Sequence, residues 1–171
     1  FLNGDLNSLP KHYLRGETVT GIREDHEGDY WFSTSTNGLF QANALGLTAF
    51  EIASSDVKDN CITAIASDGR NIYFGTQTGL LFKGSESPNQ DYIFNPIRLP
   101  IQKGPIRKLF YTPDNHLIVF NNILMEIDTL GRYRGIGKID SYPYDYLRKP
   151  NGEWLASFTG VIRAIKENRI L

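Results

Sequence analysis

The stretch EDHEGDYWFSTSTNGLF, Glu24 to Phe40, decides the reading of this chain, because its wording returns as ASDGRNIYFGTQTGLLF, Ala66 to Phe82. Each copy places a turn bearing Gly and Asp ahead of a short aromatic strand, then a second Gly turn, then another strand. Working outward, TVTGIRED alternates from Thr18 ahead of the first copy, and LTAFEI follows it. These are four short strands joined by hairpin-like turns, with Asn37-Gly38 supplying positive φ. The series runs again as CITAIASD, NIYFGT, TGLLFKG and DYIFNPIRL. It is fainter in GPIRKLFYT, HLIVFN, ILMEID and GRYRGIGKI, and ends as YPYDYLRK, GEWLASF, GVIRAI and NRIL. The turns HEGD, SDGRN, TPDNH and KPNGE fall at the same place in each copy.

Trp31, Tyr73, Ile118 and Trp154 take equivalent places in the second strands, at intervals of 42, 45 and 36 residues with a mean of 41. A period of about 40 to 50 residues with four strands per unit is the mark of β-propeller blades. The predicted fold is therefore all-β, a β-propeller segment of about four four-stranded antiparallel blades filling 1–171. The approximate blades are 19–55, 60–100, 104–139 and 141–171, and 1–18 reads as a lead-in from a preceding blade. A β-sandwich also has many short strands, but it does not require the same text to return in register. The repetition has a physical cause. One blade cannot bury both faces alone, so its neighbours must present the same kind of face. Trp31 and Trp154 are accordingly expected to pack between blades, and STSTNGL and GTQTGL to form tight turns.

Bulk properties bound the function. The 171 residues are enough for one sizeable core. A formal net charge of -1 gives no electrostatic footprint for nucleic acid or an anionic membrane. Hydrophobic residues at 40% and charged residues at 22% are those of a globular chain. No apolar run approaches the roughly 20 residues that span a bilayer. The chain begins at Phe1 without Met and reads as a processed or excised piece of something longer. The single cysteine, Cys61, excludes an internal disulfide and reads as a small buried hydrophobe at the start of a strand.

At VTGIREDHEGDYWFSTSTNGLF and ITAIASDGRNIYFGTQTGLLF the text resembles the two-component regulator propeller repeat. Val19, Ile22, Asp25, Gly28, Trp31, Thr34, Gly38 and Leu39 match its pattern in the first copy. Ile62, Ile65, Asp68, Tyr73, Gly75, Thr76, Gly79 and Leu80 match it in the second. The third copy has Asn121-Asn122 in place of the Gly-Thr pair, and the fourth keeps only NGEW and TGV. The resemblance implies the extracytoplasmic sensor region of bacterial histidine kinases and hybrid two-component systems of the Bacteroidetes type. It implies a non-enzymatic, periplasmic ligand-sensing segment that signals across the membrane on binding a small ligand such as an oligosaccharide. The alternatives are a propeller-type carbohydrate hydrolase or lyase, and a protein-interaction scaffold. Family propellers have about seven blades, and propellers in general 4–8. Four blades here imply a longer parent propeller, two copies closing a ring, or a self-sufficient unit, with the first expected.

Chemistry is sparse in the sequence. His12, His26 and His116 lie far apart without ligand spacing, and His26 and His116 read as exposed turn residues. No nucleophile elbow, P-loop or dinucleotide fingerprint occurs. A propeller enzyme could use the acidic runs REDHEGD and SSDVKD as an acid/base pair or a Ca²⁺ cage, and EDHEGDYW resembles the Asp-box of sialidase-like propellers except for His26 where the box has Asp, but Asp25 and Asp68 more simply head turns. No catalytic residue, metal or cofactor is assigned. The remaining cluster is SYPYDYLRKPNGEW, where Tyr142, Tyr144 and Tyr146 alternate on one strand face ahead of Arg148 and Lys149. Aromatic faces beside cations suit sugar rings and carboxylated sugars. Arg107, with Lys108, faces the central channel if its strand is innermost. Tyr142, Tyr144, Tyr146, Arg148 and Arg107 are the predicted ligand-binding residues.

Overall fold

A computed structural model describes residues 14–43, 46–52, 57–87, 91–100 and 104–138, with strand backbone at 143–148, 154–158, 161–166 and 169–170; side chains are described as far as residue 135. The described residues form sixteen strands in four antiparallel sheets, each of four strands in chain order. The first sheet is β1 (Val19–Glu24), β2 (Tyr30–Thr34), β3 (Leu39–Asn43) and β4 (Gly46–Phe50). The second is β5 (Ile62–Ser67), β6 (Asn71–Thr76), β7 (Leu81–Glu86) and β8 (Tyr92–Ile97), entered through one 3-10 turn, Val57–Asn60. The third is β9 (Lys108–Tyr111), β10 (Leu117–Phe120), β11 (Ile123–Ile127) and β12 (Tyr133–Lys138). The fourth is β13 (Pro143–Arg148), β14 (Trp154–Phe158), β15 (Val161–Lys166) and β16 (Arg169–Ile170). The all-β propeller architecture expected from the repeat is the one observed.

Side-chain alternation places the core. In β6, Ile72 and Phe74 turn back to the first sheet, where they join Trp31, Leu39, Ile62, Ile65 and Phe82. Tyr73, between them, turns forward and joins Ile106, Leu109, Val119 and Met125 of the next repeat. The second sheet is thus buried on both faces, and each fully buried aliphatic or Phe side chain contributes about 1.5–3 kcal/mol. Trp31 is 0% exposed, stacked on Phe50 at 5.4 Å and edge-on to Tyr92 at 4.5 Å. Tyr73 stacks on Tyr111 at 5.5 Å in the same way. The expectation that Trp31 packs between sheets holds.

The turns explain the repeated text. Asp25 Oδ1 accepts the amides of Glu27 and Asp29, and its Oδ2 accepts Trp31 Nε1–H at 2.8 Å. Asp68 Oδ1 accepts the amides of Arg70 and Asn71, and its Oδ2 accepts Tyr73 O–H at 2.8 Å. At the other end Thr34 and Thr76 close the turns into β3 and β7, accepting the amides of Asn37 and Leu80 on their hydroxyls. Gly38 and Gly79 stand there at φ 76 and 90. An added Cβ on either would meet a backbone oxygen, that of Phe50 at 2.3 Å or Gly104 at 2.6 Å, so only glycine fits.

Two sequence readings change on inspection of the register. The residues in the place of Gly75-Thr76 are Phe120-Asn121, one position earlier than Asn121-Asn122, because Phe120 pairs with Lys108 as Gly75 pairs with Ala64. In β13 a bulge falls between Pro143 and Asp145, as one falls between Val19 and Gly21 and between Ile62 and Ala64. Counting from that bulge, Trp154 is level with Tyr30 and Ile72, and Leu155 is level with Trp31 and Tyr73. A shared residue type had set Trp154 against Trp31. The hydrogen-bond ladder moves it by one, and a one-residue step exchanges the faces of a strand.

Candidate functional site

The first three sheets meet along their first strands, with β1 beside β5 and β5 beside β9, whereas the third and fourth sheets meet where β12 lies beside β16. These strands form the inner edge there, and in β1 and β5 a bulge near the start sets one residue apart. In the first two sheets it is a threonine that ties one sheet to the next. Thr20 Oγ1–H donates to the Ile62 carbonyl at 2.6 Å, and Thr63 Oγ1–H donates to the Ile106 carbonyl at 2.6 Å. Small residues beside the threonines let the strands close up. An added Cβ on Gly21 would meet Ile65 at 2.6 Å, and one on Gly75 would meet Ile106 at 2.4 Å.

The third sheet departs from this at both positions. Arg107 stands in the place of Thr20 and Thr63, its amide donating to the Phe120 carbonyl at 2.7 Å. Phe120, fully buried, stands where the second sheet has Gly75. In the fourth sheet the bulge residue is Tyr144. At this register position the threonines of the first two sheets give way to a half-buried Arg107 in the third and to Tyr144 in the fourth.

Of the five residues predicted to bind ligand, Arg107 and Tyr144 hold equivalent register positions in the third and fourth sheets. Arg148 pairs with Trp154 at the opposite end of β13. Tyr146 pairs with Ala156, and the bulge interrupts the two-residue alternation that was expected to hold Tyr144 and Tyr146 on one face. The side chains of Tyr142, Tyr144, Tyr146, Arg148 and Trp154, and all of Lys149 and His12, lie outside the described residues. Sequence reasoning missed Thr20 and Thr63, whose spacing of 43 in VTGI and ITAI was the available signal.

The other candidates resolve into local structure. Asp25 and Asp68 are committed to their turns. Burial pushes the Asp68 carboxyl up, but hydrogen bonds from Asn71, Tyr73 and Arg70 outweigh it and hold the group below the ordinary carboxylate range. Burial, then the neighbouring Asp25, pushes Asp29 up, against a hydrogen bond from Gln41. Burial likewise raises the half-buried Cys61 thiol, away from the reactive thiolate. His26 is exposed as expected. His116 is not a free turn residue: it is half-buried, with Nδ1 3.2 Å from Asp114 and 3.4 Å from Glu126. It borders a polar hollow of ≈ 250 Å³ in which Glu126 also pairs with Arg134 and Asp128 with Arg132. An apolar crevice of ≈ 310 Å³ lies between the first two sheets, lined by Leu39, Phe50, Ile52, Ile62, Phe74 and Phe82. Among the described residues no group of three His, Cys, Asp or Glu could hold a metal, and no helix is long and apolar enough to cross a membrane.

No protein-family model and no curated protein matches the chain. Solved structures do. The extracellular domain of a putative hybrid two-component system from B. thetaiotaomicron superposes with a TM-score of 0.67 at 16% identity, over 90% of this chain and 24% of that one. A protein of unknown function from Bacteroides caccae gives 0.59 at 14% identity, over 92% and 60%. The WD40 β-propeller domain of Doa1 gives 0.67 at 8% identity, over 91% and 54%. This chain thus spans less than two thirds of each of them, and at these identities the likeness is one of fold.

Proposed function

We propose that this chain is a non-enzymatic, ligand-sensing propeller segment of a bacterial two-component sensor, working on the extracytoplasmic side of the membrane. One observation supports the site: where the first two sheets spend this register position on a threonine tie, the third and fourth carry Arg107 and Tyr144. A guanidinium and a phenol at equivalent register positions of the third and fourth sheets suit a small ligand with a carboxylate and ring faces, such as a uronate-bearing oligosaccharide. The fold likeness to the extracellular domain of a putative hybrid two-component system supports the setting. Ligand bound at the seam would bias the packing of adjoining sheets, by no more than its differential affinity for the two arrangements.

Calorimetric titration with galacturonate and neutral galactose oligomers tests the reading. Saturable binding of the acidic oligomers is expected, weakened at least tenfold in Arg107→Ala and less in Arg107→Lys. Equal binding by the wild type and Arg107→Ala overturns the site, and turnover of any oligomer overturns the non-enzymatic reading.

A further inference from the structure

The seam between the first two sheets is packed differently from the next one. The apolar crevice of ≈ 310 Å³ lies there, lined by the rings of Phe50, Phe74, Phe82 and Phe94. Phe74 stacks on Phe82 at 5.1 Å, and Phe94 stands edge-on to both Phe74 and Phe50 at 5.4 Å. The register supplies the counterparts in the second seam. Val119 pairs with Met125 as Phe74 pairs with Phe82, and Ile127 pairs with Leu117 as Gly84 pairs with Ile72. Leu99 stands two residues past Ile97, the partner of Leu81, as Ile52 stands two past Phe50, the partner of Leu39. Val119, Met125, Ile127 and Leu99 are all buried, whereas Phe50, Ile52 and Phe94 are only partly so. Aliphatic and thioether side chains thus fill the second seam, and flat rings about a glycine leave space in the first. An added Cβ on Gly84 would meet the Phe94 ring at 2.5 Å, so that ring rests on the glycine.

Pockets that hold small molecules begin at about this size. An apolar cavity of about 150 Å³ holds one benzene, so ≈ 310 Å³ takes a fused pair of rings. Glu51 is the one charged residue of the lining. It is exposed, and no ion pair among the described residues uses it. A carboxylate beside the negative faces of phenylalanine rings favours a cation and disfavours an anion. We infer that this crevice is a binding site for a compact aromatic amine, its rings between the two sheets and its ammonium toward Glu51. The site is separate from Arg107 and selects the opposite charge.

Tryptamine and 3-methylindole are the probes, since they share the indole ring and differ in the amine. Calorimetric titration of the whole chain tests the site, with circular dichroism to certify that each variant is folded. Saturable binding of tryptamine is expected, about threefold tighter than 3-methylindole, the worth of one exposed ion pair. Glu51→Gln, at an exposed position, is expected to remove that preference and leave 3-methylindole unchanged. Ile52→Trp, which fills the crevice from its lining, is expected to weaken both probes roughly tenfold. Arg107→Ala is expected to change neither. Absence of saturable binding by both probes overturns the site, as does binding that a folded Ile52→Trp leaves intact. Equal affinity for the two probes, or a preference that survives Glu51→Gln, overturns the amine. Loss of tryptamine binding in Arg107→Ala places the probe elsewhere and overturns this site. The uronate titration uses ligands of opposite charge, so the two readings fail separately.

Discussion

At the scale of single residues, the repeat keeps a donor and an acceptor together. Where the second strand carries Trp31 or Tyr73, the turn ahead of it carries Asp25 or Asp68, and each ring donates to its carboxylate. Where the second strand carries Ile118, which has nothing to donate, the turn carries Thr112, buried and bonded to the His116 amide. Trp31→Phe keeps the ring contacts with Phe50 and Tyr92 but orphans Asp25 Oδ2. A loss of about 1–3 kcal/mol is expected in urea unfolding, the cost of an unsatisfied buried acceptor. Asp68 supplies a pH test. Its folded-state pKa lies below the unfolded value of roughly 3.9, so its stabilisation is complete above that value and lost as pH falls through the folded one. Asp68→Asn, which does not titrate, is expected to flatten the acid limb of the stability curve below about pH 4, measured by thermal unfolding from neutral pH downward.

At the scale of elements, what could be read from the sequence was whatever the side chains state locally. Turn residues and alternating runs located sixteen strands in the right order, because Gly38, Gly79, Asp25 and Asp68 each have a local reason to be where they are. The inner seam was not legible. Thr20 and Thr63 bond to backbone carbonyls of the next sheet, which leave no mark in composition. Gly21 and Gly75 matter through the approach of Ile65 and Ile106, from a repeat further on. The bulge at Tyr144 was hidden too, since alternating tyrosines look like a regular strand. Thr63→Val keeps the shape and deletes the tie to Ile106, with an expected loss of about 0.5–1.5 kcal/mol. Gly75→Ala drives a methyl into Ile106 and is expected to cost more, about 1–3 kcal/mol. Chemical denaturation of the two variants side by side checks the order.

At the scale of the whole molecule, stability in a stacked repeat is a sum of unit and neighbour contributions, so position in the stack sets local stability. The second sheet has a neighbour on each face. Ile72 and Phe74 belong to the core it shares with the first sheet, and Tyr73, Leu81 and Leu99 to the core it shares with the third. The first sheet has the same apolar rows but packs only one face, since Ile22 and Tyr30 remain half exposed. Amide exchange reads this difference, because a backbone bond opens with the free energy of the smallest unit that exposes it. The amides of Ile72 to Gly75 in β6 are expected to exchange slowest, near the limit set by global unfolding. Those of Phe32 and Ser33 in β2, equivalent in the repeat, are expected to exchange at least tenfold faster. Equal protection of β2 and β6 would mean that the sheets unfold as one unit and that the neighbour on the far face adds nothing measurable.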